Sequence, residues 1–149
     1  MANESRERCG GRRAAHRRFI ATSCLLPLAS CLLPGCSDVI WRSDLSGAQR
    51  QAARDGRLVL VYYGSITHQQ CAQMDRTVFN DRDVIDTMAG TIPVRLNPLL
   101  SGGWARELGI QTIPTFVAYA PDRRVINIRP GAMDPDQFRA FVIGAKLNR

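Results

Sequence analysis

The sequence predicts an α/β fold. Three observations carry the prediction. Leu58 to Tyr63 is apolar at every position, which marks a central strand covered on both faces. From about residue 45, helical and extended patterns alternate and end in a hairpin and a helix. The last pattern, Asp134 to Leu147, places Phe138, Phe141, Val142 and Leu147 on one helical face.

The elements follow in order. Ser43 or Asp44 caps a first helix through Ala48, Ala52 and Ala53, and Gly56 ends it. After the strand Leu58–Tyr63, a Gly-Ser turn leads into a helix from about His68 to Thr77. That helix carries Cys71, Met74 and Val78 at spacings of three and four. Asn80 or Asp81 caps a helix over 83–88, with Val84, Ile85 and Met88 turned inward. Thr91 to Leu96 is the next strand, and Asn97-Pro98 ends it. Ser101-Gly102-Gly103 leads to a short helix around Trp104 to Leu108, capped by Gly109, with Trp104 as its anchor on the domain. Thr115 to Ala120 is a strand, Pro121-Asp122 a turn, and Val125 to Ile128 the hairpin partner. Pro130-Gly131 breaks the hairpin and Asp134 starts the final helix.

Charge is unevenly spread. Residues 1–36 hold six Arg and two Glu, a net +4, and residues 37–149 hold 14 Lys+Arg against 11 Asp+Glu, a net +3. A nucleic-acid surface needs a basic stripe in the folded part. Here the arginines are scattered among aspartates, so no nucleic-acid partner is expected. Of the five cysteines, Cys9, Cys24, Cys31 and Cys36 lie before residue 37, leaving Cys71 without a partner downstream. That arithmetic excludes a disulfide scaffold.

Six arginines from Arg6 to Arg18 precede an apolar run from Phe19 to Leu33. A basic stretch followed by an apolar one is the pattern of a secretory signal. The run is shorter than the ~20 residues of a spanning helix. Leu28-Ala-Ser-Cys31 and Leu33-Pro-Gly-Cys36 resemble bacterial lipoprotein processing sites. Cys36 is favoured, because a chain beginning at Cys31 would expose Leu32 and Leu33. The expected organisation is a leader over 1–36, a tether over 37–44 and a domain over 45–149.

Two stretches carry a resemblance. Val59-Leu-Val-Tyr-Tyr-Gly-Ser-Ile-Thr-His-Gln-Gln-Cys71 is similar to V-L-V-D-F-W-A-x-W-C-x-x-C, and Gly109-Ile-Gln-Thr-Ile-Pro-Thr-Phe116 to G-I-x-x-I-P-T-(apolar). Both patterns are those of the thioredoxin superfamily. The resemblance covers roughly residues 45–147. It implies a thioredoxin-like sandwich with a mixed central sheet flanked by helices. Cys71 to Asp81 resembles the branch that includes the periplasmic domain of membrane thiol:disulfide interchange proteins.

Aligned without a gap, the resemblance puts His68 at the attacking cysteine and Cys71 at the resolving one. Thr67 stands at the tryptophan before the motif and Tyr62 at the buried acid. Pro114 matches the family's cis-proline. The backbone of Ile113 matches the edge that pairs with an extended peptide. Dithiol exchange needs a thiolate to attack and a second thiol to resolve, and an imidazole forms no mixed disulfide. Fold alone does not settle activity.

Three functional readings follow. The first is a peptide- or protein-binding envelope module, anchored to the membrane by lipid, with Thr67, Ile113 and Pro114 as binding residues. The second is a monothiol oxidoreductase in which Cys71 attacks, assisted by His68 one turn earlier on the same face. The third is copper handling, because His68, Cys71 and Met74 are soft ligands. His68 and Met74 point roughly 120° apart on a helix, so no metal residue set and no cofactor is assigned. Against each stands a plainer reading. Cys71 is a small buried hydrophobe, His68 a solvated residue at a helix start, Met74 a core residue, and Pro114 a shaper of the core. Asp81, Asp83 and Asp86 read as caps and a solvated face.

Overall fold

The computed structural model describes residues 38–98 and 102–149. The expected leader, with Cys31 and Cys36, lies outside the described residues. The elements are α1 (Leu45–Asp55), β1 (Val59–Tyr63), α2 (Gln69–Thr77), α3 (Arg82–Met88), β2 (Ile92–Leu96), α4 (Gly102–Glu107), β3 (Thr115–Tyr119), β4 (Val125–Pro130) and α5 (Pro135–Leu147). Their order and type match the sequence prediction, with ends shifted by a residue or two.

The four strands form one mixed sheet in the order β2-β1-β3-β4. β1 pairs parallel with β2, setting Tyr62 beside Arg95. β3 is antiparallel to both β1 and β4. Side chains alternate across a strand, so the fully buried β1 feeds two cores. Leu60, Tyr62, Phe116 and Ala118 face α2, α3 and α5. Val59, Val61, Tyr63, Val117 and Tyr119 face α1, where Leu45, Ala48 and Ala52 are buried, and Ala105 of α4. The continuous apolar run of β1 follows from this double cover.

Local chemistry sets the helix ends. Asp81 Oδ1 accepts from the Val84 N–H at 3.0 Å to open α3. Asp134 and Gln137 form a reciprocal capping box at α5, with Pro135 at its first position. Gly56 ends α1 at φ 64°, a backbone conformation that favours glycine.

Four expectations are corrected. Leu147 is 80 % exposed, and Ala145 takes its place on the buried face of α5. Two residues turn a helix through roughly 200°, so Leu147 points away from Ala145. Trp104 is 38 % exposed and Ala105 is the buried residue of α4. The stretch 37–44 is not a free tether over 39–42. Val39 and Trp41 pack on the core, and Trp41 meets Phe79 edge-on at 4.9 Å. The Arg42 N–H donates to Pro93 O at 3.0 Å and Arg42 O accepts from the Arg95 N–H at 2.8 Å, which covers the outer edge of β2. An indole on a ready aromatic cluster and an open strand edge supply the driving force. Ile85, expected inward, is half-buried.

Candidate functional site

The site begins where β1 turns into α2. The Ser65 and Thr67 hydroxyls lie 2.9 Å apart, and Ser65 O accepts from the His68 N–H at 3.1 Å. This tight turn delivers His68 to the N-cap of α2 in extended backbone conformation, with no side-chain bond to the helix N–H groups. The imidazole turns inward instead. Nδ1 lies 3.7 Å from the Cys71 Sγ. Cys71, in the first turn, is 0 % exposed. Its sulfur sits near the positive end of α2, whose first N–H groups lack helical partners.

Tyr62 closes the site from the sheet. Its ring is fully buried among Trp41, Phe79 and Phe116, stacked on Phe116 at 5.0 Å. The hydroxyl lies close enough to the Cys71 thiol for the two to interact, yet it has no partner in hydrogen-bond geometry among the described residues. The Arg95 guanidinium lies 4.9 Å from the ring centroid. Arg95 also pairs with Asp75 of α2 at 2.7 Å, a partly buried bridge that ties the site helix to β2.

Gly64 explains the phenol. A Cβ at residue 64 would lie 2.6 Å from Tyr62 Cζ and 2.8 Å from its Oη. A tyrosine at 62 therefore requires a glycine two residues later. The two departures from the resembled pattern, Tyr62 for the acid and Gly64 for a tryptophan, are one change in packing. Reading positions singly misses this, although both letters stand in the sequence.

Across from α2, the Ile113–Pro114 peptide is cis. Pro114 is buried and Ile113 half-buried. Ser65, Thr67, His68, Asn97, Ile110 and Ile113 line a groove of about 340 Å³. The Ile113 backbone makes no hydrogen bond among the described residues. The structure thus brings Thr67, His68 and Ile113 to one surface. Cys71 lies beneath His68, and Pro114 is not among the residues that line the groove. Ile66, 80 % exposed in the same turn, adds an apolar point that sequence reading did not single out. Met74 is a core residue, 2 % exposed.

Burial pushes the Tyr62 hydroxyl well above its ordinary titration range, and the neighbouring Cys71 and Asp75 add to this while Arg95 opposes it. Burial does the same to Tyr63, with Tyr119 and Glu107 adding. Tyr119 is also raised, chiefly by burial. The folded state therefore keeps phenol protons that the unfolded chain loses above about pH 10. Their contribution to stability is whole below that pH and is lost as pH rises above it. The expected slope is about 1.4 kcal/mol per pH unit for each buried phenol that ionises only on unfolding. Urea midpoints taken at about pH 9 and about pH 11 measure it. Midpoints that do not fall would show the phenols to be solvated.

The orphaned hydroxyl makes a second expectation. Tyr62→Phe keeps the ring and removes an unpaired buried group, so it stabilises by about 1 kcal/mol in urea unfolding. A loss of stability instead would mean that the hydroxyl bonds the Cys71 sulfur in the native state.

No helix among the described residues is long and apolar enough to cross a membrane. Among curated proteins no relative matches the chain. Solved structures do match. A thioredoxin from Thermus thermophilus is 22 % identical, with 74 % of this chain and 88 % of that one covered and a TM-score of 0.65. The DsbH oxidoreductase is 11 % identical, covering 94 % and 96 %, with a TM-score of 0.62. The C-terminal domain of DsbD from Neisseria meningitidis, in its oxidised form, is 16 % identical, covering 74 % and 100 %, with a TM-score of 0.58. At these identities the likeness is one of fold. The family match is made on the sequence itself and spans residues 45–145, from the first turn of α1 almost to the end of α5. With the mixed sheet, the site turn and the cis-proline, it establishes that the chain belongs to the thioredoxin-like domain family.

Proposed function

We propose that the chain is a thioredoxin-like peptide- or protein-binding module of a bacterial envelope, without dithiol catalysis of its own. One observation carries this reading. The N-cap of α2, where the resemblance puts the attacking sulfur, holds an imidazole, and the remaining thiol is wholly buried behind it. The groove between α2 and the Ile113 loop keeps an apolar wall and a backbone edge that is unpaired among the described residues. Such an edge takes an extended segment by strand addition. The monothiol alternative requires Cys71 to meet a disulfide, and its burial counts against that. The leader supports export, with a lipid on Cys36 and Cys31 as the second choice. The DsbH and DsbD likenesses are compatible with an envelope location.

The test uses the full chain with Cys9, Cys24, Cys31 and Cys36 changed to Ser, so that Cys71 is the sole thiol. Insulin reduction stays at the uncatalysed rate, with or without Cys71→Ser. An unfolded polypeptide added to the protein slows amide exchange at residues 66–68 and 111–113. Robust reduction that disappears in Cys71→Ser would overturn the proposal.

A further inference from the structure

We propose that His68 and Cys71 form a binding site for one monovalent copper ion, a role separate from peptide capture. A thiolate and a neutral imidazole are donors that favour a soft ion. Their atoms stand 3.7 Å apart across one helical turn. With bonds of about 2.0 Å to nitrogen and 2.3 Å to sulfur, an ion between them subtends roughly 120° without backbone movement. That angle is the open one of three-coordinate geometry. Modest rotation of His68 widens it toward two-coordinate, linear binding.

A second, independent observation points to the same place. The Tyr62 hydroxyl is fully buried, has no partner in hydrogen-bond geometry among the described residues, and lies close enough to Cys71 for the two groups to interact. A buried donor left unpaired is costly. A metal-bound thiolate is the acceptor it lacks, and an O–H···S bond there stabilises the anionic ligand. The N-terminus of α2 acts in the same direction, since its N–H groups favour negative charge at its first turn.

Donor count selects the ion. Among the described residues no three His, Cys, Asp or Glu side chains gather for a metal. Zinc normally takes four such ligands, so the pair does not suit it, whereas monovalent copper is content with two or three. His68 lines the groove, so its rotation admits the ion and leaves the remaining coordination position facing a docked partner. Binding involves no change of oxidation state. The thiol loses its proton to buffer, a copper–sulfur and a copper–nitrogen bond form, and Tyr62 keeps its proton.

The experiment is an anaerobic titration of monovalent copper against bicinchoninate. It uses the full chain with the four leader-region cysteines changed to Ser. One ion per chain is expected, with X-ray absorption showing one sulfur and one nitrogen neighbour. His68→Ala weakens binding by on the order of a hundredfold, as loss of a direct ligand should. Tyr62→Phe, which keeps the fold, weakens it by about tenfold, the range for outer partners of a ligand. Saturating copper raises Tm by several degrees, as any ligand confined to the native state does. Absence of binding in the chain that retains Cys71, or equal binding by His68→Ala, would overturn the site. Neither result bears on insulin reduction or peptide protection.

Discussion

His68→Cys is expected to make the chain a thiol reductant. In the background where Cys71 is otherwise the sole thiol, insulin reduction rises on the order of a hundredfold or more above wild type. The position supplies what an attacking thiol needs. It is the N-cap of a nine-residue helix, half-exposed, beside a groove that includes Ile113. The field of the N-terminus favours the thiolate there. The existing Nδ1 to Sγ approach of 3.7 Å places the new sulfur within one turn of Cys71, which then resolves the mixed disulfide. Tyr62 holds turnover below that of a complete dithiol site, because a buried phenol with a strongly raised titration range is a poor proton acceptor. Activity lost again in the His68→Cys, Cys71→Ser double variant assigns it to the pair. A folded His68→Cys chain that reduces nothing would show that the groove, not the missing sulfur, blocks exchange.

The largest stability effect is expected at Phe138. Its ring is 1 % exposed and meets Phe79, Phe116 and Phe141 at centroid distances of 5.5, 5.3 and 6.3 Å. Two of these contacts are edge-on, the geometry aromatic quadrupoles prefer. Phe138→Ala removes the ring that joins α5 to the sheet and to the end of α2. The cost is about 3–5 kcal/mol of unfolding free energy, lost burial plus the cavity left behind. For a domain of this size that lowers Tm by more than about 10 °C. Denaturant unfolding checks it. A cost below about 1.5 kcal/mol would mean that the aromatic cluster collapses to fill the space.

The secondary structure was legible almost residue by residue, because its signals are local. Gly56, Asp81 and Asp134 announce helix ends through their own backbone and side-chain chemistry. The misreadings concern burial. Leu147 and Trp104 are large and apolar, yet a short or terminal helix turn offers the core only one side, and smaller alanines fill it. Residues 39–42 looked like a tether because nothing in their spacing reveals an open strand edge contributed by β2, fifty residues on.

By itself the sequence determined the order of elements, the family, and the placing of an imidazole and a thiol three residues apart on one helix face. These depend on spacing along a single chain segment. Only the tertiary structure decided that Cys71 is sealed, that a phenol without a partner among the described residues lies beside it and that Ile113 shares a groove with His68. Each of those outcomes sums contacts from elements far apart in sequence. The size of Tyr62, accommodated by the missing side chain of Gly64, sets the space in which the sulfur sits.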